Sequence, residues 1–258
     1  MMKFIMFITI MLLLAMPLCL LSDTISEAAY EKFKVGEELV GKGNYEEAVG
    51  YFKAALDINP GAAVIKEWLG FCYINLGRYQ EAIDTYMSVH STKLSADSLA
   101  NLGFAYYNLG NNASAIAYLT KAVDKDPQHK FALNNLGLAY IANRDPREAE
   151  PVLRKAVELY PDFYEAWNNL GIALKLKGEF EEALECYDKA KSLNPKVAET
   201  YYNIAVIYKV KGNNKLAGDN FAAYLRLGGK DTAKVKEAVN FLRDIGRLGE
   251  VPKELRYE

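Results

Sequence analysis

Apolar residues recur along residues 29–231 in a pattern that repeats about every 34 positions. Within each repeat they fall at i, i+3, i+4 and i+7 over two consecutive segments, the spacing that gives an α-helix one buried face. A small residue marks the first segment of every repeat, at intervals of 34, 33, 34, 34 and 34: Gly36, Gly70, Gly103, Gly137, Gly171 and Ala205. The pattern therefore predicts six units of two antiparallel helices each.

Two further series lie in the second segment of each unit. An Ala stands twelve positions after the first small residue, and a large apolar residue follows it at Phe52, Tyr86, Leu119, Leu153, Tyr187 and Phe221. Small residues are expected where the two backbones of a unit approach closely. Glycines that favour a left-handed turn separate the two segments at Gly43, Gly77, Gly110, Gly178 and Gly212, whereas the fourth unit has Asn143 and Arg144 there. Prolines, which cannot continue a helix, close four of the units at Pro60, Pro127, Pro161 and Pro195.

This combination of residues resembles the tetratricopeptide repeat (TPR) family over residues 29–231. The resemblance implies an all-α fold, a right-handed α-solenoid of six helix-turn-helix repeats at about 29–62, 63–95, 96–129, 130–163, 164–197 and 198–231. No such unit can bury its own apolar face, so neighbouring repeats have to stack. The second repeat is one residue short, carries Lys66 where a large apolar residue is usual, and ends in Leu94 rather than Pro. We expect its joint around residues 90–92 to be the least regular.

Residues 232–258 are predicted to form a capping helix and a short tail. Between Asp231 and Arg247, apolar side chains share one helical face at Val235, Ala238, Val239, Leu242 and Ile245, and polar residues occupy the rest. A helix with a polar back can cover the apolar surface that the last repeat leaves open.

Residues 1–22 form a different kind of sequence, because residues 4–21 contain no charged side chain. A stretch of this length is close to what a helix needs to cross a bilayer. Lys3 precedes the stretch and Asp23 follows it, which predicts that the repeats are exported. Three fates stay open: a retained membrane anchor, cleavage as a signal peptide, or lipid attachment at Cys19. The repeats would then be membrane-anchored and extracytoplasmic, or free after cleavage.

Charge and motif content narrow the possible functions. The chain has 31 Lys and Arg against 33 Asp and Glu, a net charge of −2, which argues against general nucleic-acid binding. The sequence contains no phosphate-binding loop, dinucleotide fingerprint, HExxH or CxxC motif. We therefore expect a non-enzyme without a cofactor or metal.

The candidate binding residues occupy positions that the core pattern leaves free. Asn101, Asn135, Asn169 and Asn203 stand two residues before the marking Gly or Ala of successive repeats, and Trp68 holds this position in the second repeat. Together with Asn134 and Asn168, one place earlier, they resemble the Asn ladder of the O-linked N-acetylglucosamine transferase superhelix. That resemblance implies a concave groove in which the amides hold a peptide backbone, since a carboxamide both donates and accepts hydrogen bonds. The alternative interpretation is that Asn is simply a frequent consensus residue at this position.

Aromatic residues are expected on the same side of the repeats and extend the candidate groove. They are Phe71, Phe104, Tyr107, Phe131 and Tyr202. Exposed aromatic surface is typical of contact sites. The sequence therefore predicts an interaction scaffold that binds an extended segment of a partner protein, in an envelope or membrane-associated assembly process. The rival hypothesis is a self-associating architectural protein whose copies form a lattice.

Overall fold

The computed structural model describes residues 25–90 and 93–256, and the regular structure in them is helical. These residues form two compact units, an N-terminal unit up to Ala139 and a C-terminal unit from Tyr140 onward. The N-terminal unit contains α1 (Glu27–Gly41), α2 (Tyr45–Ile58), α3 (Ala63–Asn75), α4 (Tyr79–Met87), α5 (Ala96–Asn108) and α6 (Asn112–Lys125). The C-terminal unit contains α8 (Pro146–Leu159), α9 (Tyr164–Lys177), α10 (Phe180–Leu193), α11 (Ala198–Val210), α12 (Asn214–Arg226) and α13 (Thr232–Asp244). The boundary falls within α7 (Lys130–Ala142).

Each helix contacts the next along the chain, from α1 to α6 in one unit and from α8 to α13 in the other. The first helices of neighbouring repeats also contact one another, α1 with α3, α3 with α5, and α9 with α11. This arrangement confirms the predicted all-α fold of helix-turn-helix repeats. It places one face of every first helix beside the same face of the next first helix within a unit.

Close helix contact explains the paired series of glycines and large apolar residues. A Cβ atom added at Gly70 would lie 2.6 Å from the buried ring of Tyr86, and one at Gly171 would lie 2.6 Å from the ring of Tyr187. The same pairing joins Gly36 to Phe52 and Gly103 to Leu119. Each large side chain therefore packs directly on the bare backbone of the first helix.

The turns between helices are left-handed, as the glycines predict. Gly43, Gly77 and Gly110 have φ values of 79°, 72° and 78°, and Gly178 and Gly212 have φ values of 86° and 72°. In the fourth repeat this conformation falls on Arg144, with φ of 66°. A residue with a Cβ atom is disfavoured there, so Arg144 carries backbone strain that the glycines avoid.

The second repeat has the shortest second helix among the described residues. Helix α4 has 9 residues, whereas α2, α6, α8 and α10 have 14 each. Lys66, the unusual residue of this repeat, donates a hydrogen bond at 3.4 Å to the carbonyl of Ser88, just after the end of α4. The cation thus lies at the negative end of the shortened helix. Residues 91 and 92 of the predicted joint lie outside the described residues.

The C-terminal cap is larger than the sequence pattern predicts. Val235, Ala238, Val239 and Leu242 of α13 are buried as expected, but the helix ends at Asp244 and the chain then doubles back. Val251, in the tail, is 1% exposed and joins the same apolar cluster. Arg247 holds the tail in place through a hydrogen bond at 2.7 Å to Asp219 and one at 3.1 Å to the carbonyl of Lys215.

The predicted signal or anchor at residues 1–22 lies outside the described residues, so the membrane span at residues 4–21 and the lipid attachment at Cys19 stay predictions. Within residues 25–90 and 93–256, no helix has both the length and the apolar character needed to cross a bilayer.

Candidate functional site

The first helices of the N-terminal unit carry a patch of rings, here called the aromatic face: Trp68, Phe71, Phe104 and Tyr107. All four side chains are half-buried, so part of each ring faces solvent. Trp68 and Phe71 lie one helical turn apart on α3, with ring centroids 6.2 Å apart in an edge-to-face arrangement. The regular spacing of the repeats places Phe104 of α5 at the position that Phe71 holds in α3.

Tyrosines at the start of the second helices of two repeats pack against two of these rings. Tyr45, at the start of α2, packs edge-to-face on Phe71 with centroids 6.1 Å apart. Tyr79, at the start of α4, packs in the same way on Phe104 at 6.0 Å. Such contacts stabilise aromatic pairs beyond the burial of their area. The half-buried rings of Phe71 and Phe104 therefore each pack against a tyrosine ring of a second helix.

Among the predicted amides of the N-terminal unit, Asn101 is half-buried. Its amide nitrogen lies 3.4 Å from the hydroxyl of Tyr86, which is fully buried, so the amide also provides a long polar contact within the chain. Burial raises the pKa of Tyr107, which is also half-buried, above its ordinary value.

The predicted residues of α7 differ in accessibility. Phe131 is half-buried, whereas Asn134 is 0% and Asn135 is 9% exposed. The amide nitrogen of Asn134 donates to Oδ1 of Asn135 at 3.4 Å. Both amides therefore lie largely within the packed helices.

The three predicted amides of the C-terminal unit are also buried. Asn168 is 4%, Asn169 is 3% and Asn203 is 7% exposed. Asn168 accepts a hydrogen bond at 3.1 Å from the hydroxyl of Thr200, which joins α9 to α11. Asn203 accepts a hydrogen bond at 2.7 Å from the ammonium of Lys175, also between α9 and α11. Asn168 and Asn203 therefore join neighbouring first helices, a role that sequence spacing alone does not reveal.

A network of charged side chains and one tyrosine lies across α9, α11 and α13, here called the charged face: Lys175, Glu199, Tyr202, Lys209, Lys234 and Glu237. Glu237 accepts from the ammonium of Lys209 at 2.8 Å and from the hydroxyl of Tyr202. Lys234 forms an ion pair with Glu199, and its ammonium lies 5.2 Å from the centre of the Tyr202 ring. The capping helix thus contributes side chains to the same face as the repeats.

Burial and charge together shift the pKa values in this network. Burial, followed by repulsion from Lys234, lowers the pKa of Lys175 to about 8. Burial alone would raise the pKa of Glu237, but hydrogen bonds from Lys209 and Tyr202 hold it below its ordinary value. The pKa of Tyr202 is raised by burial and by its hydrogen bond to Glu237. Glu237 is therefore a stable carboxylate, while Lys175 is a weakened cation.

Of the predicted site residues, the structure brings together Trp68, Phe71, Asn101, Phe104 and Tyr107 on the first helices of one unit, and Asn168, Asn169, Tyr202 and Asn203 on those of the other. Sequence reasoning missed the cations and carboxylates of the charged face. One signal was present: the residue four positions after the marking glycine is Val40, Ile74 and Tyr107 in the first three repeats but becomes Lys175 in the fifth.

The reactive side chains elsewhere have structural explanations. Cys72 and Cys186 are buried, and burial raises the pKa of each thiol to about 12, which disfavours the nucleophilic thiolate. His129 accepts a hydrogen bond at 3.1 Å from the backbone N–H of Ala132 and lies 2.9 Å from Asp97, so it caps the start of α7. Within the part of the chain that the structure describes, no three His, Cys, Asp or Glu residues are grouped to hold a metal ion.

Solved structures with the same fold span most of the chain. A chain in the crystal structure of the APC/C hetero-tetramer Cut9-Hcn1 has a TM-score of 0.71 and 19% identity, covering 87% of this chain but 45% of its own length. A tetratricopeptide repeat protein from Parabacteroides merdae has a TM-score of 0.66 and 23% identity, with 90% and 96% of the two chains covered. YrrB, described as a TPR protein with an unusual peptide-binding site, has a TM-score of 0.59 and 24% identity, with 67% and 89% covered.

Sequence comparison identifies the family directly. No curated protein matches the chain. Three family models, each described as tetratricopeptide repeat, match residues 39–89, 94–162 and 164–197, which together make up more than half of the chain. The repeat fold is typical of protein-interaction scaffolds rather than of catalytic domains. The chain belongs to the tetratricopeptide repeat family.

Proposed function

We propose that the chain is a non-catalytic scaffold that binds an extended segment of a partner protein along its first helices. The observation that carries this proposal is the aromatic face. Trp68, Phe71 and Phe104 present partly exposed rings on neighbouring first helices, where a segment crossing successive repeats would meet one ring after another. Aromatic side chains in such positions are the usual anchors of protein interfaces.

In this proposal fewer amides contact the bound segment than the resemblance to an Asn ladder implies. Asn101 is accessible enough to offer a hydrogen bond to a peptide backbone. Asn135, Asn169 and Asn203 are mostly enclosed, so they would contact a segment only through their remaining exposed edges. Asn134 and Asn168 are assigned to the packing between helices. YrrB is an example of peptide binding on this fold, although its similarity to this chain extends to the fold alone.

The proposal includes an extracytoplasmic location, on the basis of residues 1–22. An uncharged stretch at residues 4–21, preceded by Lys3, is a signal for export. The partner would then be a component of an envelope or membrane-associated assembly. The stretch would also attach the scaffold to the membrane if it is retained.

The test compares two double variants in a crosslinked pull-down from native membranes. Phe71→Ala/Phe104→Ala removes two rings of the aromatic face. Tyr51→Ala/Met87→Ala is the matched control, because these exposed side chains lie on second helices and are similarly apolar. We expect the partner to be lost only with the first variant. Circular dichroism spectra of both variants establish that the helices are intact.

Two results would overturn the proposal. A partner retained by both variants would move the binding site away from the first helices. Recovery of copies of the chain alone would favour the self-associating alternative. We prefer this variant to replacement of the buried amides, because an Asn→Ala change at position 168 or 203 also breaks a hydrogen bond between helices.

A further inference from the structure

The charged face has one more cation than it has carboxylates. Lys209 and Lys234 are each paired with a glutamate, Glu237 and Glu199 respectively. Lys175 extends from α9 toward α11. Among the described residues, the one hydrogen bond of its ammonium is to the neutral amide of Asn203, on α11. The network therefore carries an excess positive charge at Lys175.

The groups around this ammonium are arranged as hydrogen-bond donors. A lysine has three N–H donors and no acceptor, and only one of the three is used on Asn203. That hydrogen bond uses the side-chain oxygen of Asn203 and leaves its amide nitrogen as a donor. Both side chains thus present N–H groups, which a peptide carbonyl or a carboxylate can accept.

Keeping a cation in this enclosed position is unfavourable for the folded chain. Burial and the nearby Lys234 disfavour its charge, while Glu199 and Glu237 only partly compensate, so the pKa of Lys175 falls to about 8. The same position in the first three repeats is occupied by Val40, Ile74 and Tyr107, which carry no charge. A cation that is costly to the fold, at a position where other repeats have an uncharged residue, is typical of a functional position.

We propose that Lys175 and Asn203 form a subsite that binds the side-chain carboxylate of an Asp or Glu in the partner's extended segment. This inference rests on the proposed function, because it assumes that a segment lies along the first helices. A carboxylate at this point would neutralise the excess charge and accept hydrogen bonds from both side chains. A charge pair of this kind is strongest where it is partly shielded from water, as it is here.

The experiment measures binding of the full chain to an array of short mixed-sequence peptides with acetylated N-termini and amidated C-termini. Amidation removes the terminal carboxylate, so only Asp and Glu side chains can supply the anion. Three variants are compared with the unaltered chain. Lys175→Gln removes the charge, Lys175→Arg keeps it, and Lys191→Gln removes a lysine charge from the second helix α10 of the same unit.

We expect the unaltered chain to prefer peptides that carry an acidic residue at one position of the bound segment. Lys175→Gln should bind these peptides about tenfold more weakly while binding neutral peptides unchanged. Lys175→Arg and Lys191→Gln should keep the preference. Peptide binding without any acidic preference, or a preference that Lys175→Gln retains, would overturn the subsite and leave the proposed function standing. An absence of peptide binding to the unaltered chain would overturn both.

The pH dependence gives a second readout. Glu199 on α11, and Lys234 and Glu237 on α13, are the charged groups that face Lys175. Because the pKa of Lys175 is about 8, most of the cation is lost by pH 9, and affinity for acidic peptides should fall about fivefold between pH 7 and 9. The same peptides should show no such fall with Lys175→Arg, since arginine stays protonated. A fall of equal size with the arginine variant would overturn the assignment.

Discussion

The two units carry different side chains at one and the same repeat position. Four residues after the marking glycine, the N-terminal unit has Val40, Ile74 and Tyr107. The C-terminal unit begins with Ile141 at this position but then has Lys175 after Gly171 and Lys209 after Ala205. In the N-terminal unit the surrounding first-helix surface is aromatic. In the C-terminal unit the same surface carries ion pairs that join α11 to α13.

This difference shows which parts of a repeat are fixed by folding and which are free to diverge. A Cβ atom added at Gly70 or at Gly171 would lie at the same 2.6 Å from the ring of Tyr86 or Tyr187, so packing inside the helix pairs is the same in both units. The first-helix surface is not used in that packing. Its side chains can therefore suit apolar contacts in one unit and charged contacts in the other.

The largest effects are expected where the units are alike. Gly70→Val and Gly171→Val each force a branched side chain against a buried tyrosine ring, and should destabilise the chain by about 3 kcal/mol. Gly50→Val is the matched control, since a Cβ atom there has nothing within 4 Å and the change should stay within about 0.5 kcal/mol. Urea unfolding followed by circular dichroism measures all three. If only one of Gly70→Val and Gly171→Val is destabilising, the two units do not share this packing.

A smaller effect is expected at the position where the units differ. Lys175 has a pKa of about 8 in the folded chain and 10.5 ordinarily. Between these values the unfolded chain binds a proton that the folded chain lacks, so stability rises with pH. Lys175→Met should therefore stabilise the chain by about 1–2 kcal/mol at pH 7 and remove most of the rise between pH 8 and 10.

Lys191→Met provides the control for this pH dependence, because Lys191 is paired with Asp188 at the surface of α10. Its replacement should change stability by less than about 0.5 kcal/mol and leave the pH profile as it is. Unfolding curves measured in urea from pH 7 to pH 10 test the difference. A loss of stability with Lys175→Met at pH 7 would contradict the claim that the charge of Lys175 lowers the free energy of unfolding.

The smallest effect is expected at the turn of the fourth repeat. The N-terminal unit uses Gly43, Gly77 and Gly110 for its left-handed turns, whereas the C-terminal unit begins with Arg144 in that conformation. Arg144→Gly should stabilise the chain by about 1 kcal/mol, because glycine adopts a positive φ without steric cost. Thermal unfolding measures the change, and a lower melting temperature would show that other contacts of Arg144 outweigh the strain.

The helix pairs could be predicted from the sequence because their causes are local and periodic. The spacing of Gly171, Ala183 and Tyr187 within one repeat specifies which backbone approaches which ring. The turns are equally local, because the glycine at each turn predicts which residue adopts the left-handed conformation. Even the exception at Arg144 lies where the missing glycine indicates.

The charged face could not be predicted because its partners are distant in the sequence. Lys234 and Glu199 are 35 residues apart, and Lys209 and Glu237 are 28 apart, so they meet only after the first helices have stacked. For the amides, the positions could be predicted from the sequence but the surroundings could not. Their spacing reveals a regular row, but not that Asn168 and Asn203 are mostly enclosed and hydrogen-bonded to neighbouring helices.

The central claim is that a partner's extended segment lies along the first helices. Site-specific photocrosslinking in the full chain tests it most directly, with a photoreactive amino acid at position 104 in one version and at position 51 in the other. Phe104 belongs to the aromatic face, whereas Tyr51 is 37% exposed on the second helix α2. The account predicts that position 104 alone crosslinks a partner, at residues within one continuous segment. Partner crosslinks from position 51 alone, or crosslinks from position 104 only to other copies of the chain, would contradict it.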